Sequence, residues 1–412
     1  MKLAVDQPRL VRELDALAEI SDAPAPAVTR VVYTETDLRG REFVKNLCRQ
    51  AGLVLRDDAV GNTFARWAGA DPSLAPVGTG SHIDAIPNAG RYDGTVGVLG
   101  GLEAIRALQH AGFRPKRSIE LLMFASEEPT RFGIGCLGSR MLTGMLDASA
   151  GERLKDRDGT TLDEARTAAG LTGSLEEVRI AADYYSAFVE LHIEQGPLLE
   201  KRSVPVGIVT AIAAPSGLRI TIEGEGGHAG AVLMPDRKDA FLAAAEISLA
   251  VERSTLARGS IDTVGTVGVC EVFPGAVNSI PSRVRIEVDV RDIDESRRDS
   301  VLTKICSACD EIGRRRRVDI RTEVVNADPP AQCAPVVVEA LAASCSAHGF
   351  EYDRMISRAY HDSLFMSRIA PAGMLFIPCR GGVSHRPDEY ASPDAISQGT
   401  LVLAQSLAHL AA

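Results

Sequence analysis

Three polar side chains stand out in the stretch Val77–Leu99, where a short apolar run ends at Ser81 and a Gly- and Pro-containing loop leads into a helical pattern opening at Asp93. They are His82, Asp84 and Asp93. An imidazole at a strand end and a carboxylate at a helix start form half of a metal site. A carboxylate also suits a helix N-terminus, so Asp93 alone would read as a cap. His82 and Asp84 together point further, because alternate strand positions face the same way and an Asp can hold a ligating His from behind. The chain offers partners of the same kind. Glu127 and Glu128 follow the apolar run Leu121–Phe124, His192 closes another strand-like run, and His385 sits in Gly-Gly-Val-Ser-His-Arg-Pro. Three imidazoles and two carboxylates, one of them shared, suffice for two divalent metals roughly 3.5–4 Å apart. A donor set without thiolate suits Zn, Mn, Co or Ni. Adjacent glutamates can then divide the work, one binding metal and its neighbour moving a proton between water and a leaving nitrogen.

Each residue alone has a plainer reading, since strand-end histidines are usually satisfied hydrogen-bonders and Glu-Glu pairs are common. The distribution argues otherwise. Of eight histidines, His82, His192, His228, His361 and His385 fall in Gly- or Asp-containing loops, while His110, His348 and His409 lie within or at the end of helical patterns.

The elements that must position these groups alternate along the chain. Helical periodicity covers 7–20 and 36–51, and strands are expected over 60–68, 76–81 and 118–125. Between 93 and 111, Val96, Leu99, Leu102, Ile105 and Leu108 fall on one helical stripe. A looser polar segment, 145–185, precedes the His192 strand. Polar groups at successive strand ends, with helices between, indicate an α/β sheet with a site at its carboxyl edge. From about Val206 the pattern changes to strand 218–223, helix 237–251, strands 262–272 and 283–291, helix 295–314 and strand 317–325. That βαββαβ order is ferredoxin-like and reads as a second domain inserted into the first. A strand over 374–378 and a closing helix over 393–410 complete the first domain.

At 412 residues two domains are expected. A net charge of −10 opposes a nucleic-acid partner. No 18-residue apolar run or apolar leader is visible, which points away from a membrane and toward a cytoplasmic chain. Eight scattered cysteines read as free thiols, and Cys306-x-x-Cys309 as two positions on a surface helix. The basic run Arg314–Arg317 reads as a solvated helix end.

Taken together, Ser-His-Ile-Asp…Tyr-Asp-Gly, Ser-Glu-Glu-Pro-Thr-Arg-Phe, His-Ile-Glu-Gln-Gly-Pro, Gly-His-Ala-Gly, Asn-Ser-Ile-Pro and Gly-Gly-Val-Ser-His resemble the metal-dependent amidohydrolases of the M20 class, in particular their hydantoinase/carbamoylase branch. The resemblance spans nearly the whole chain and implies a mixed-sheet metallohydrolase domain over 1–207 and 329–412. It also implies an inserted ferredoxin-like α+β lid and dimerisation domain over 208–328, hence a homodimer. It further implies that His82, Asp93 and His192 hold one metal, that Asp93, Glu128 and His385 hold the other, that Glu127 is the general acid/base and that Asp84 orients His82. His228 would stabilise an oxyanion, while Gln195, Asn278, Arg291 and His361 would bind substrate, Arg291 by its fork on a carboxylate. Taken without the family, His228 reads as a loop histidine capping a turn and Arg291 as a strand-end surface charge. A histidine at 192, where peptidase relatives carry a carboxylate, favours cleavage of a small ureido or N-carbamoyl acid with release of ammonia and CO2. Tyr360-His361-Asp362-Ser363, in place of Gly-His-Asp-Ala, resembles the ureidoglycolate-cleaving members. The competing readings are an M20 peptidase or N-acyl-amino-acid deacylase, and a catalytically silent fold used for binding.

Overall fold

The computed structural model describes residues 2–257 and 259–412, which form two compact units: 2–210 with 333–357 and 361–412, and 211–332 with 358–360.

The first unit is built on a mixed sheet. Its strands lie side by side in the order Val206–Ile212, Ala372–Ile377, Ala187–Ile193, Val77–His82, Ile119–Phe124, Thr63–Trp67 and Val54–Asp57, with Tyr352–Ser357 paired to the first of these. The four strands in the middle run parallel, Val206–Ile212 and Thr63–Trp67 on either side run antiparallel to them, and Val54–Asp57 pairs antiparallel with Thr63–Trp67. Parallel strands are buried on both faces, which explains why Val77–His82, Ile119–Phe124, Ala187–Ile193 and Ala372–Ile377 are buried at every position. The carboxyl ends of these four strands carry His82, the Glu127–Glu128 turn, His192 and the loop leading to His385.

Helix Thr95–His110 lies against this sheet and against the C-terminal helix Pro393–Leu410. The apolar stripe read from its sequence understates its burial, because every residue from Thr95 to Leu108 is buried. Two charges travel inside with it. Glu103 accepts a fork from Arg9 at 2.7–2.9 Å, and Arg106 reaches Glu13 at 2.8 Å. Helix Gln7–Ala18 thus supplies the counter-charges that burial requires.

Two segments differ from their sequence reading. Ala85–Ala89, which contains Pro87 and reads as loop, is a short strand paired with Val28–Arg30. The fully buried Arg30 explains the contact: its guanidinium donates to the carbonyls of Ile83 at 2.6 Å, Leu17 at 2.5 Å and Ile20 at 2.8 Å, fixing the backbone immediately after His82. The polar stretch 145–185 has a core of its own, in which Leu162, Ala165, Leu175 and Val178 pack with Leu137, Met141, Val60 and Phe132.

In the second unit, strands Val264–Phe273, Arg283–Asp292, Ala214–Glu223 and Asp319–Ala327 form an antiparallel sheet in that spatial order, with helices Ala240–Leu256 and Glu295–Arg316. The chain order is βαββαβ. Strict alternation along Arg283–Asp292 turns Val284, Ile286, Val288 and Val290 into the core beside Ile220, Ile222, Ile247 and Ile305. The first strand starts at Ala214 and the first helix spans Ala240–Leu256, against 218 and 237–251 in the sequence reading, while the other elements differ from it by one or two residues at their ends. Cys306 and Cys309 lie on helix Glu295–Arg316 as free thiols. At the end of that helix, Arg315 and Arg316 both pair with Glu246, so the basic run is only partly a solvated end. Ile286 is fully buried at the centre of this sheet. Ile286→Ala should therefore cost about 2–5 kcal/mol of unfolding free energy. Urea denaturation followed by circular dichroism checks this, and an unshifted midpoint would contradict a close-packed core in this unit.

Candidate metal centre

The polar groups gathered at the carboxyl ends of the parallel strands converge on one carboxylate. Asp93 lies just before helix Thr95–His110, one residue ahead of Gly94, whose φ is +65°. His82 Nε2 is 3.4 Å and His192 Nε2 3.1 Å from Asp93 Oδ1, while His385 Nε2 is 3.3 Å from Oδ2. His385 Nε2 also lies 3.3 Å from Glu128 Oε1. Two groups of possible ligands therefore share Asp93, namely His82 with His192 and Glu128 with His385.

The tautomers are set from outside. His82 Nδ1 meets the carbonyl of Asp84 at 3.0 Å and His192 Nδ1 that of Ile193 at 2.9 Å. A carbonyl only accepts, so Nδ1 carries the hydrogen and Nε2 presents a lone pair inward. His192 shows this directly, since its Nε2 accepts the N–H of Gly94 at 3.1 Å. Lone pairs aimed at carboxylate oxygens, inside a buried pocket, are an arrangement that a cation resolves. The titration directions agree. Burial alone would lower the His82 imidazole, but the Glu127, Asp93 and Asp84 carboxylates raise it well above its ordinary value. The Asp93 and Glu128 hydrogen bonds push His385 up to about 11. Burial works to raise Asp93, yet the three imidazoles hold it well below the usual carboxylate range. The carboxylates of the pocket thus favour positive charge on its imidazoles while the imidazoles keep Asp93 anionic, and the donor set of imidazoles and carboxylates suits a divalent metal.

Glu127 stands beside this cluster without joining either ligand group. Its Oε2 is 3.7 Å from His82 Nε2, and its Oε1 accepts the Cys136 thiol at 3.2 Å. Burial raises its pKa well above the ordinary value, and the neighbouring Glu128, Asp362 and Asp84 carboxylates add to that. Such a carboxylate is poised to take up a proton.

Asp84 acts differently from its sequence reading. It meets the His82 ring through its backbone carbonyl; its carboxylate, 3.7 Å from Nδ1 at the nearest, instead accepts the N–H of Glu127 at 3.1 Å and of Glu128 at 3.0 Å. The chain has already turned out of the strand at Ile83, so the side chain faces the neighbouring strand end. Asp84 thereby fixes both the His82 tautomer and the Glu127–Glu128 backbone. Gln195, expected on substrate, donates Nε2 to Asp93 Oδ2 at 2.7 Å, while its buried Oε1 has no hydrogen-bond partner among the described residues. His361 is buried, with its ring 4.5 Å from that of His192.

The remaining expected substrate residues belong to the second unit. His228 pairs with Ser279 in a two-residue ladder, and its Nδ1 accepts the Gly230 N–H at 3.1 Å. Asn278 accepts the Ala229 N–H on its backbone oxygen. Arg291 forks onto Asp289 at 2.9 and 3.0 Å and lies 5.6 Å from the Tyr360 ring centroid. Residues missed in the sequence are Ser384, which reaches Asp93 Oδ2 at 2.7 Å, and Glu389, which accepts the N–H of Tyr92 and Asp93. Also missed was the buried group Ser81–Glu190–Ser363, with Ser139–Asp362 beside it. Buried carboxylates next to serines carry no spacing signature.

Residues 78–409 match the model of the peptidase family M20/M25/M40, and the chain belongs to that family. Within it the chain is a hydantoinase/carbamoylase-type amidase, a hydrolase: it is 33% identical to such an amidase from Burkholderia multivorans, covering 99% of this chain and 98% of that one with a TM-score of 0.89. It is also similar to a ureidoglycolate hydrolase of Oryza sativa subsp. japonica, 53% identical over 98% of this chain and 85% of that protein. The crystal structure of AtUAH in complex with glyoxylate superposes with a TM-score of 0.91 at 52% identity, covering 99% and 98% of the two chains. Among the described residues no helix is long and apolar enough to cross a membrane.

A Cβ on Gly94 would sit 2.5 Å from the His82 ring, on a backbone that L side chains rarely adopt. Gly94→Ala should therefore displace His82 and sharply reduce metal uptake. Manganese content after gel filtration of the loaded protein reads this, and undiminished uptake would contradict the placement of His82.

Proposed function

We propose that this amidohydrolase cleaves the C–N bond of a small ureido acid, ureidoglycolate before allantoate or an N-carbamoyl-L-amino acid, releasing ammonia and CO2. The observation that carries the reading is Glu127, a buried carboxylate of raised pKa beside, and outside, two ligand groups that share Asp93. Similarity of more than 50% to a protein named ureidoglycolate hydrolase, across nearly the whole chain, supports the choice of substrate.

In this reading His82, Asp93 and His192 hold one divalent ion and Asp93, Glu128 and His385 a second, drawn from Mn, Zn, Co or Ni. Such ions polarise a carbonyl and lower the pKa of water. Glu127 takes a proton from the water that adds to the ureido carbon and delivers it to the nitrogen that leaves. One C–N bond breaks and one C–O bond forms. Ammonia departs with the transferred proton, and the carbamate left behind loses CO2. The thiol of Cys136 and the backbone N–H of Glu127, tied to Asp84, hold that carboxylate in place. Gln195 keeps its N–H on Asp93 and offers its unpartnered Oε1 to a ureido NH2. Arg291, forked on Asp289, takes the substrate carboxylate, and Asn278 and His361 complete the substrate contacts. His228 stabilises the oxyanion, with the second unit serving as lid and as the face of a homodimer.

Glu127→Gln should abolish turnover, with kcat falling by at least about 10²-fold and metal content retained. Ammonia release from ureidoglycolate, allantoate, N-carbamoyl-L-amino acids and a dipeptide measures both claims. An active Glu127→Gln enzyme would overturn the role of Glu127. Cleavage of the dipeptide alone would move the protein to the peptidase side of its family.

A further inference from the structure

Asp93 and His385, which meet at 3.3 Å, come from loops that lie far apart in the sequence. Something other than the side chains themselves must register one loop on the other. Glu389, only 4% exposed, lies between them. Its Oε1 accepts two backbone N–H groups of the first loop, Tyr92 at 2.8 Å and Asp93 at 3.1 Å. Its Oε2 lies 3.0 Å from the hydroxyl of Ser384, the neighbour of His385, and that hydroxyl is also 2.7 Å from Asp93 Oδ2. A second observation shows that the fold makes room for this carboxylate. A Cβ on Gly90 would fall on Cβ, Cδ and Oε1 of Glu389, well inside van der Waals contact. Gly90 is thus the open side of a slot that Glu389 fills.

We propose that Glu389, seated on Gly90, is a positioning residue that locks the Asp93 loop to the Ser384–His385 loop and so pre-forms the shared half of the metal centre. The inference rests on the reading that Asp93 and His385 hold metal. The lock works through hydrogen-bond geometry. An oxygen accepts from the first loop, while the other end of the same planar group engages Ser384. Glutamine preserves both functions, since its Oε1 accepts the two N–H groups and its Nε2 donates to Ser384 Oγ, leaving the hydroxyl hydrogen for Asp93. Alanine preserves neither, and alanine at position 90 evicts the carboxylate without removing it.

The test is calorimetric titration of chelator-treated protein with Mn2+, comparing wild type, Glu389→Ala, Glu389→Gln, Gly90→Ala and, as a reference for lost ligation, His385→Ala. Circular dichroism and thermal unfolding of each metal-free protein serve as the control for folding. Glu389→Ala and Gly90→Ala should each weaken Mn2+ binding by about 10–100-fold, the range known for residues behind metal ligands. Glu389→Gln should bind nearly as wild type does. Wild-type affinity in Glu389→Ala would overturn the lock, as would a Glu389→Gln variant as damaged as the alanine. If Glu389→Ala fails to fold, Gly90→Ala decides by the same criterion. A wild-type protein that takes up no Mn2+, or a His385→Ala variant that binds normally, would instead overturn the metal site and the lock with it.

Discussion

The site depends on one arrangement: three imidazole nitrogens directed at the two oxygens of Asp93, with at least two of the rings prevented from turning away. The carbonyls of Asp84 and Ile193 take the Nδ1 hydrogens of His82 and His192, so the Nε2 lone pairs have no choice of direction. In a buried pocket an unprotonated Nε2 facing an anionic oxygen, as those of His192 and His82 face Asp93 Oδ1 at 3.1 and 3.4 Å, is unfavourable until a proton or a cation lies between them. Charge of the opposite sign turns the same geometry into a binding site. What holds the unfavourable state in readiness is backbone: strand ends, a left-handed Gly94, and amide N–H groups given to Asp84 and Glu389.

The parallel strands explain why these groups meet. Each of the four middle strands delivers its chemistry at the same edge, and each is buried along its length, so its end cannot drift. Arg30 and Arg41 strengthen this from within. The first binds the carbonyl of Ile83 and the second that of Phe124 at 2.7 Å, in each case next to a residue run that carries the site. Fully or nearly buried arginines used on backbone carbonyls act as struts, and their cost is met by several short hydrogen bonds each.

Much of this was legible in the sequence. Apolar runs that stop at His82, Glu127 and His192, followed by Gly- or Pro-containing loops, mark strand ends with chemistry attached, and the βαββαβ order of the second unit followed from strict alternation along segments such as Arg283–Asp292. What was not legible depends on distant partners. The strand Ala85–Ala89 contains Pro87 and forms only because Val28–Arg30 pairs with it. Helix Thr95–His110 shows one apolar stripe in the sequence yet is buried from Thr95 to Leu108, because the counter-ions of Glu103 and Arg106 lie on the first helix. Glu389 sits in Arg-Pro-Asp-Glu, a composition that reads as a solvated loop, and its burial follows from a glycine almost three hundred residues earlier. The carboxylate of Asp84 serves Glu127 and Glu128 in place of His82 because the turn after the strand reverses its direction, which periodicity alone does not reveal.

The most direct test of the account is anomalous diffraction from crystals grown with Mn2+. The proposed reading predicts two peaks, one beside His82, Asp93 and His192 and the other beside Asp93, Glu128 and His385. Manganese bound elsewhere, for instance between Glu190, His192 and His361, with Asp93 left uncoordinated, would contradict it.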